Sequence, residues 1–217
     1  MPEFLCERCN RTFQLSQEIL ARYPGWTPRQ CMTCKKSGGP SKSKAKKPNR
    51  SVPSITANEN LSPREVLARF HGGPTTGLFT DGSAQPNPGP GGWGCVLVID
   101  DSIVCEKKGH ESHTTNNRME LTALIEAYKM APKDQDLEVF TDSQLCVSTF
   151  TQWAAGWERN GWRRKSGPIK NLELVKELWA LVQDKPRVRL TWIKAHDGSR
   201  WNEYADALST AWTRGGD

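Results

Sequence analysis

The 217-residue chain contains no apolar run approaching the ~20 residues that a membrane-spanning helix requires. Its first apolar stretch is broken by Glu3, Cys6, Glu7 and Arg8, unlike the apolar centre of a secretory signal. The expectation is a soluble, cytoplasmic protein with no membrane partner. Acidic residues are absent between Cys34 and Glu59. There, Lys35, Lys36, Lys42, Lys44, Lys46, Lys47 and Arg50 are interleaved with Ser, Gly and Pro. Such a stretch has too little apolar surface to offset the entropy of ordering, so residues 37–60 are expected to be a disordered basic linker. Three of the seven cysteines, Cys95, Cys105 and Cys146, lack metal-ligand spacing and are expected to be buried thiols.

The formal net charge of +6 is unevenly spread. Residues 1–50 hold eleven Lys/Arg and three Asp/Glu, a net +8, leaving nineteen basic and twenty-one acidic residues, a net −2, in the rest. A basic arm ahead of a mildly acidic domain suits a nucleic-acid partner for the arm. Solubilisation of a linker is the plainer alternative. The other four cysteines form Cys6-Glu-Arg-Cys9 and Cys31-Met-Thr-Cys34. Two Cys-x-x-Cys pairs about twenty residues apart have structural-zinc spacing, with one Zn²⁺ as the expected ligand. A module of residues 1–36 is too small to hold itself together by its core, so a metal is physically reasonable. Two disulfides are the alternative, disfavoured by an intracellular setting. A redox pair would not need the second motif.

Beyond the linker, Ser62-Pro-Arg-Glu65 reads as a capping box with Pro at the first helical position. A short helix and connector are expected over 61–74, either docked on the following domain or standing off it. From residue 75 to 217, strand and helix signals alternate. Leu78–Asp81, Gly92–Ile99 and Ile103–Gly109 suggest an antiparallel meander. Leu121, Leu124, Ile125 and Tyr128 share a helical face. Leu137–Thr141 reads as a fourth strand. Leu174, Val175, Leu178, Leu181 and Val182 mark another helix, with Asn171 as its cap. Val188, Leu190 and Trp192 alternate as a fifth strand, and a last helix runs from about Asn202 to Ala211. The class is α/β.

Four acidic residues stand in distinctive settings: Thr-Asp81-Gly-Ser, Arg-Met-Glu120-Leu, Thr-Asp142-Ser-Gln and Ala-Asp206-Ala-Leu. Asp81 and Asp142 at the ends of adjacent strands would lie within bridging distance of one cation. Glu120 is expected in the first turn of its helix, where the dipole favours a carboxylate. Clustered carboxylates repel unless cations neutralise them, and hard oxygen ligands suit Mg²⁺ or Mn²⁺. Two such ions can hold both the attacking and the leaving oxygen of a phosphodiester. A helix cap or surface charge is the plain reading of any one of them; as a set they point to a metal-dependent nuclease.

The run Phe79-Thr-Asp81-Gly-Ser-Ala-Gln-Pro-Asn87-Pro-Gly-Pro-Gly-Gly-Trp-Gly94 resembles the opening of a type 1 ribonuclease H. So do Thr114-Thr-Asn-Asn-Arg-Met-Glu120-Leu, Thr141-Asp142-Ser-Gln144, and Trp192-Ile-Lys-Ala-His196 followed ten residues later by Asp206. The resemblance covers about Gly77 to Thr213 with the motifs in order. It implies an RNase H-like fold, a mixed five-stranded sheet flanked by helices. It implies endonucleolytic hydrolysis of the RNA strand of RNA–DNA hybrids with two Mg²⁺ or Mn²⁺ ions, leaving 5′-phosphates. Asp81, Glu120, Asp142 and Asp206 would hold the ions, and His196 would assist proton transfer or product departure. Its setting, Ala-His196-Asp197-Gly, departs from the family's usual form, and Asp197 would raise the histidine's proton affinity.

The same resemblance places Asn87, Asn116, Asn117 and Gln144 along the minor groove, where amides suit a 2′-hydroxyl. It places Thr115 on a DNA phosphate. Trp153, Trp157, Trp162 and Arg163 fall in a stretch resembling the basic protrusion that meets the DNA strand. Some of those tryptophans must be core, since Trp153 and Trp157 have helical spacing. Residues 1–36 resemble bacterial zinc-ribbon modules. The expectation is a monomeric enzyme. The rivals are a non-catalytic hybrid binder, a zinc-dependent regulator and a fragment of a reverse transcriptase. All four carboxylates argue against the first. The zinc module and missing polymerase sequence argue against the last.

Overall fold

The computed structural model describes residues 2–6, 11–14, 17 and 60–214. The chain divides into two units, Met1–Ser54 and Ile55–Asp217. In the first, β1 (Glu3–Leu5) pairs antiparallel with β2 (Thr12–Gln14), with Phe4 opposite Phe13. Cys6 follows β1 and is buried. Cys9, Cys31, Cys34 and the linker up to residue 59 lie outside the described residues.

The second unit begins with α1 (Pro63–Arg69), capped as the sequence predicts. Ser62 Oγ accepts from the Glu65 amide while the Glu65 carboxylate accepts from the Ser62 amide. There follow β3 (Gly77–Ala84), β4 (Gly89–Ile99), β5 (Ser102–Thr114), α2 (Asn116–Met130) and β6 (Leu137–Thr141). Then come α3 (Gln144–Ser148), a wide π turn (Thr149–Trp153), α4 (Ala154–Arg159), α5 (Leu172–Asp184), β7 (Val188–Trp192) and α6 (Arg200–Ser209). A 3₁₀ turn, Ala211–Arg214, ends the described chain. The three meander strands are longer than the hydrophobic signal suggests; β5, the longest, is an edge strand with mostly exposed side chains and carries little apolar patterning.

The sheet order is β5-β4-β3-β6-β7. β3 runs antiparallel to β4 and parallel to β6, and β6 runs parallel to β7. The mixed five-stranded sheet of the expected fold is thus present. The central strand β3 is buried on both faces, so alternate residues serve two cores. Leu78 and Leu97 face one core with Leu124, Tyr128 and Leu178 from α2 and α5. Phe79, Val96, Val98 and Phe140 face the other, with Trp201, Tyr204 and Leu208 of α6. The rings of Phe79 and Phe140 stack at 4.9 Å.

Helix α1 docks rather than standing off. Val66 and Phe70, one turn apart, are buried in that second core. Burial of each contributes about 1.5–3 kcal/mol relative to exposure. Two local expectations are corrected. Cys105 is exposed, because it sits on the solvated edge strand, whereas Cys95 and Cys146 are buried. Asn171 occupies the cap position of α5 but with φ +53 and no side-chain cap bond; its Oδ1 instead accepts from Arg118 at 3.5 Å.

Candidate active site

Asp81 lies in the middle of the buried strand β3, with Gly94 opposite it on β4. Asp142 follows the last residue of β6, and Thr80 pairs with Thr141 across the parallel ladder. Two adjacent parallel strands therefore deliver two carboxylates to the same end of the sheet. The backbone beside Asp142 is pinned by Trp192 Nε1, which donates to the Asp142 carbonyl at 3.1 Å. Glu120 arrives from α2. It stands in the second turn, not the first, because Thr115 is the N-cap and Glu120 is the fifth residue after it. Proximity to the sheet, not the helix dipole, accounts for its position. That proximity requires Gly82, where a Cβ would lie 2.2 Å from the Glu120 amide nitrogen. Gly94 plays the same part for α6, since a Cβ there would lie 2.4 Å from Leu208 Cβ.

Carboxylate oxygens of Asp81, Glu120 and Asp142 all lie within 4.8 Å of one another. Asp81 is buried, and Ser209 Oγ donates to its Oδ2 at 2.5 Å. Burial raises the Asp81 pKa. Burial and then the Asp81 and Asp142 charges raise Glu120 well above the usual carboxylate range. Asp142 is pushed up to about 6 by burial and then by Asp81. Asp206, on α6, is pushed up to about 7 by burial and then by the Asp81 charge. Four acids hold protons too tightly because they share a low-dielectric site with one another. Hard oxygens, crowded and partly buried, match the donor chemistry of Mg²⁺ or Mn²⁺.

A second group adjoins the first. Donor atoms of His196, Glu203 and Asp206 lie within 4.8 Å of one another. His196 sits in the exposed loop between β7 and α6 with φ +48, its Nδ1 3.7 Å from Glu203 Oε2. Glu203 is buried, and its Oε1 accepts from the Gly198 amide at 3.3 Å. Sequence reasoning missed Glu203. It stands in the first turn of α6, where acids are commonplace. Its only signal is its place three residues before Asp206, on the same helical face. Asp197 pairs with Lys194 at 2.9 Å, so part of its charge is already compensated.

The linkage of these acids to stability has a defined sign. Their folded-state pKa values are raised, so their contribution to stability is full below the ordinary range near pH 4. It is lost as pH rises through about 6 to 7, the values of Asp142 and Asp206. A divalent cation supplies the missing positive charge at high pH. Mg²⁺ at ten times its Kd is expected to raise Tm by roughly 3–6 °C at pH 8. By calorimetry, the increment should shrink steadily towards pH 5. An increment independent of pH would separate the cation from this cluster.

The other expected site residues divide by location. Asn87 and Asn116 are exposed in the approach to α2, and both serve backbone. Asn87 Oδ1 accepts from the Asn116 amide at 3.3 Å, and Asn116 Oδ1 accepts from the Ala84 amide at 2.7 Å. Thr115 caps α2, accepting from the Arg118 amide at 3.4 Å. Gln144 is exposed at the first position of α3. Asn117 lines a cleft of about 120 Å³ with Trp153, Trp157, Arg164 and Lys170. Trp153 is 40% exposed, its ring 5.9 Å from that of Trp157. Trp157 and Trp162 pack on the first core, and the Lys176 ammonium lies 5.6 Å over the Trp162 ring. Arg163 is exposed. The tryptophans thus divide into two partly buried against the core (Trp157 and Trp162) and one exposed (Trp153).

The family model for RNase H matches residues 74–213. A ribonuclease H of Methylorubrum extorquens is 44% identical over 133 residues, 61% of this chain and 58% of that protein. A ribonuclease H of a Bradyrhizobium species is 44% identical over 137 residues, 63% of this chain and 88% of that protein. Among solved structures, LC9-RNase H1, a type 1 RNase H with the type 2 active-site motif, superposes with a TM-score of 0.55. It is 32% identical over 67% of this chain and 75% of that one. With Asp81, Glu120 and Asp142 gathered at one end of a mixed β5-β4-β3-β6-β7 sheet, and with matches spanning most of the second unit, the chain belongs to the type 1 RNase H family.

Proposed function

We propose that the chain is an endoribonuclease that hydrolyses the RNA strand of RNA–DNA hybrids. The observation that carries this reading is the Asp81–Glu120–Asp142 cluster, with Asp206 close enough for its charge to be felt. These four residues would hold Mg²⁺ or Mn²⁺, two ions with substrate. Bound ions supply nucleophile activation and stabilise charge on the leaving 3′-oxygen, giving a 5′-phosphate product. The chain supplies rigid placement: two carboxylates on neighbouring strands, one on a helix seated against Gly82, one on a helix seated against Gly94. His196, 45% exposed to solvent and close to Asp206, handles a proton at the leaving group or helps product depart.

The α2 approach supports RNA-strand recognition. Asn87 and Asn116 spend their carbonyl oxygens on backbone, which leaves their amide N–H groups to donate to a 2′-hydroxyl or sugar oxygen. Asn117 in the first turn of α2 and Gln144 at the start of α3 are both exposed. Thr115 at the N-terminus of α2 suits a DNA phosphate. Trp153, Trp157, Trp162 and Arg163 would contact the DNA strand, with Trp153 the most accessible of the three tryptophans. Cleavage of labelled RNA–DNA hybrid, single-stranded RNA, RNA duplex and DNA duplex, with and without chelator, tests the reading. Only the hybrid should be cut, and only with metal. Equal cutting of RNA duplex would defeat it.

The N-terminal part is proposed as residues 1–36 holding one structural Zn²⁺ through Cys6, Cys9, Cys31 and Cys34, joined by a basic linker. The supporting features are the paired Cys-x-x-Cys spacing and the +8 charge of residues 1–50. The arm would bind nucleic acid and the enzyme would act as a monomer. Atomic emission on reduced protein purified without chelator is expected to give one zinc per chain. A value near zero would remove this assignment.

A further inference from the structure

Helix α6 carries Glu203 and Asp206, and the His196 loop leads into it, so the way α6 begins bears directly on the site. A helix start leaves amide donors without intrahelical partners, usually satisfied by the N-cap side chain. Here Ser199 is the N-cap residue and makes no side-chain cap bond; its Oγ is buried without a partner. The first amide of the helix, that of Arg200, instead donates to the Gly72 carbonyl at 2.8 Å. Gly72 and Ser199 form an isolated parallel bridge. Arg200 Nη2 reaches back to the Leu67 carbonyl at 3.4 Å. Backbone from before the first sheet strand therefore caps the last helix.

The approach is close. Gly73 has φ +95, and a Cβ there would lie 2.3 Å from Ser199 Oγ and 3.1 Å from Ser199 Cα. Any larger residue would both strain its own backbone and push the start of α6. The segment is held at its other end as well. Asn60 Nδ2 donates to Thr213 Oγ1 at 2.7 Å, and Val66 and Phe70 are buried against Trp201 and Tyr204. Ser199 is three residues from His196, and Glu203, in the first turn of α6, meets both the Gly198 amide and His196. Asp206 lies a further turn in, where intrahelical bonds hold it.

We propose that residues 60–73 are a strap that caps α6 from outside and thereby holds the His196–Gly198 loop and Glu203 in working position. This rests on the reading of His196 as part of the ribonuclease chemistry. Gly72 and Gly73 are positioning residues, acting through Ser199 and Arg200. Loosening the strap frays the first turn of α6 and misplaces His196, while Asp81, Glu120 and Asp142 on other elements stay put. The loss should fall on kcat, leaving KM nearly unchanged, and it should vanish where His196 is already absent.

The test is a double-mutant cycle in the full chain. Gly73→Ala is expected to lower kcat about tenfold on hybrid with KM within about twofold. In the His196→Ala background the same change should cost less than about twofold, the non-additivity expected of residues acting as a unit. Equal losses in both backgrounds would overturn the proposal, as would wild-type kcat in Gly73→Ala. Hydrogen exchange at the Arg200 amide reads the strap without reference to activity. It should quicken in Gly73→Ala, and unchanged exchange would also overturn the proposal. If wild-type protein cut no hybrid, the proposed function would fail while the exchange result still stood on its own. Should Gly73→Ala not fold, Val66→Ala, which loosens α1 on α6 without touching the backbone contacts, carries the same cycle and the same exchange measurement.

Discussion

Asp81→Asn is expected to lower hybrid cleavage by at least about 10³-fold while hybrid binding and fold survive. A metal's charge stabilisation of the transition state is worth several kcal/mol, and each 1.36 kcal/mol is tenfold in rate. Asp81 is the residue that the others share: its charge raises Glu120, Asp142 and Asp206 alike. Replacing it with a neutral amide removes the negative ligand common to the whole cluster. The fold should tolerate the change, because Asn retains an oxygen to accept from Ser209 Oγ. Removing one of several mutually repelling buried acids should even leave the metal-free protein with an equal or higher Tm at pH 8. Asp142→Asn should follow the same course. Turnover near wild type from either folded variant would defeat the two-metal assignment, whereas a large fall in Tm would show that Asp81 is a structural residue.

The parts of this protein that were legible in its sequence are those where one local signal had one physical meaning. Ser62 and Glu65 specify a capping box, and both bonds are present. Leu78 against Phe79, and Val96 and Val98 against Leu97, alternate because the sheet is covered on both faces. Asp81 and Asp142 end apolar runs that pair in parallel. Signals failed where a partner distant in sequence decides the outcome. Nothing local reveals that Gly82 exists to admit the Glu120 backbone, or that Gly72 caps a helix 128 residues away. Glu120 lies one turn further into its helix than the sequence suggests because the helix begins at the Thr115 cap, and Thr-Thr-Asn-Asn offers several caps in a row. The expectation of a buried Cys105 fails because edge strands hide their exposure in sequence. Glu203 escaped because its partners, the Gly198 amide and His196, meet it only through a loop with two positive-φ residues.

His196→Ala is expected to lower kcat about 10²-fold, the low end of what general acid–base catalysis contributes. Three observations set the size. The side chain is 45% exposed, so solvent can take over part of any proton transfer. It approaches Asp206 and Glu203 and is not a member of the Asp81–Glu120–Asp142 group, so its loss leaves the core of the metal site intact. Its loop is tied down through Glu203 and the Gly198 amide, not through the imidazole, so the truncation should not collapse the loop. KM for hybrid should therefore change little, and the Mg²⁺-induced rise in Tm should persist. Glu203→Gln should give a smaller fall in kcat, because an amide can still accept from the Gly198 amide but no longer attracts a protonated His196. A folded His196→Ala enzyme as inactive as Asp81→Asn, with the Mg²⁺ increment gone, would make His196 a metal-site residue. A kcat equal to wild type would make it an ordinary surface histidine, and the proton would then have to be handled by water alone.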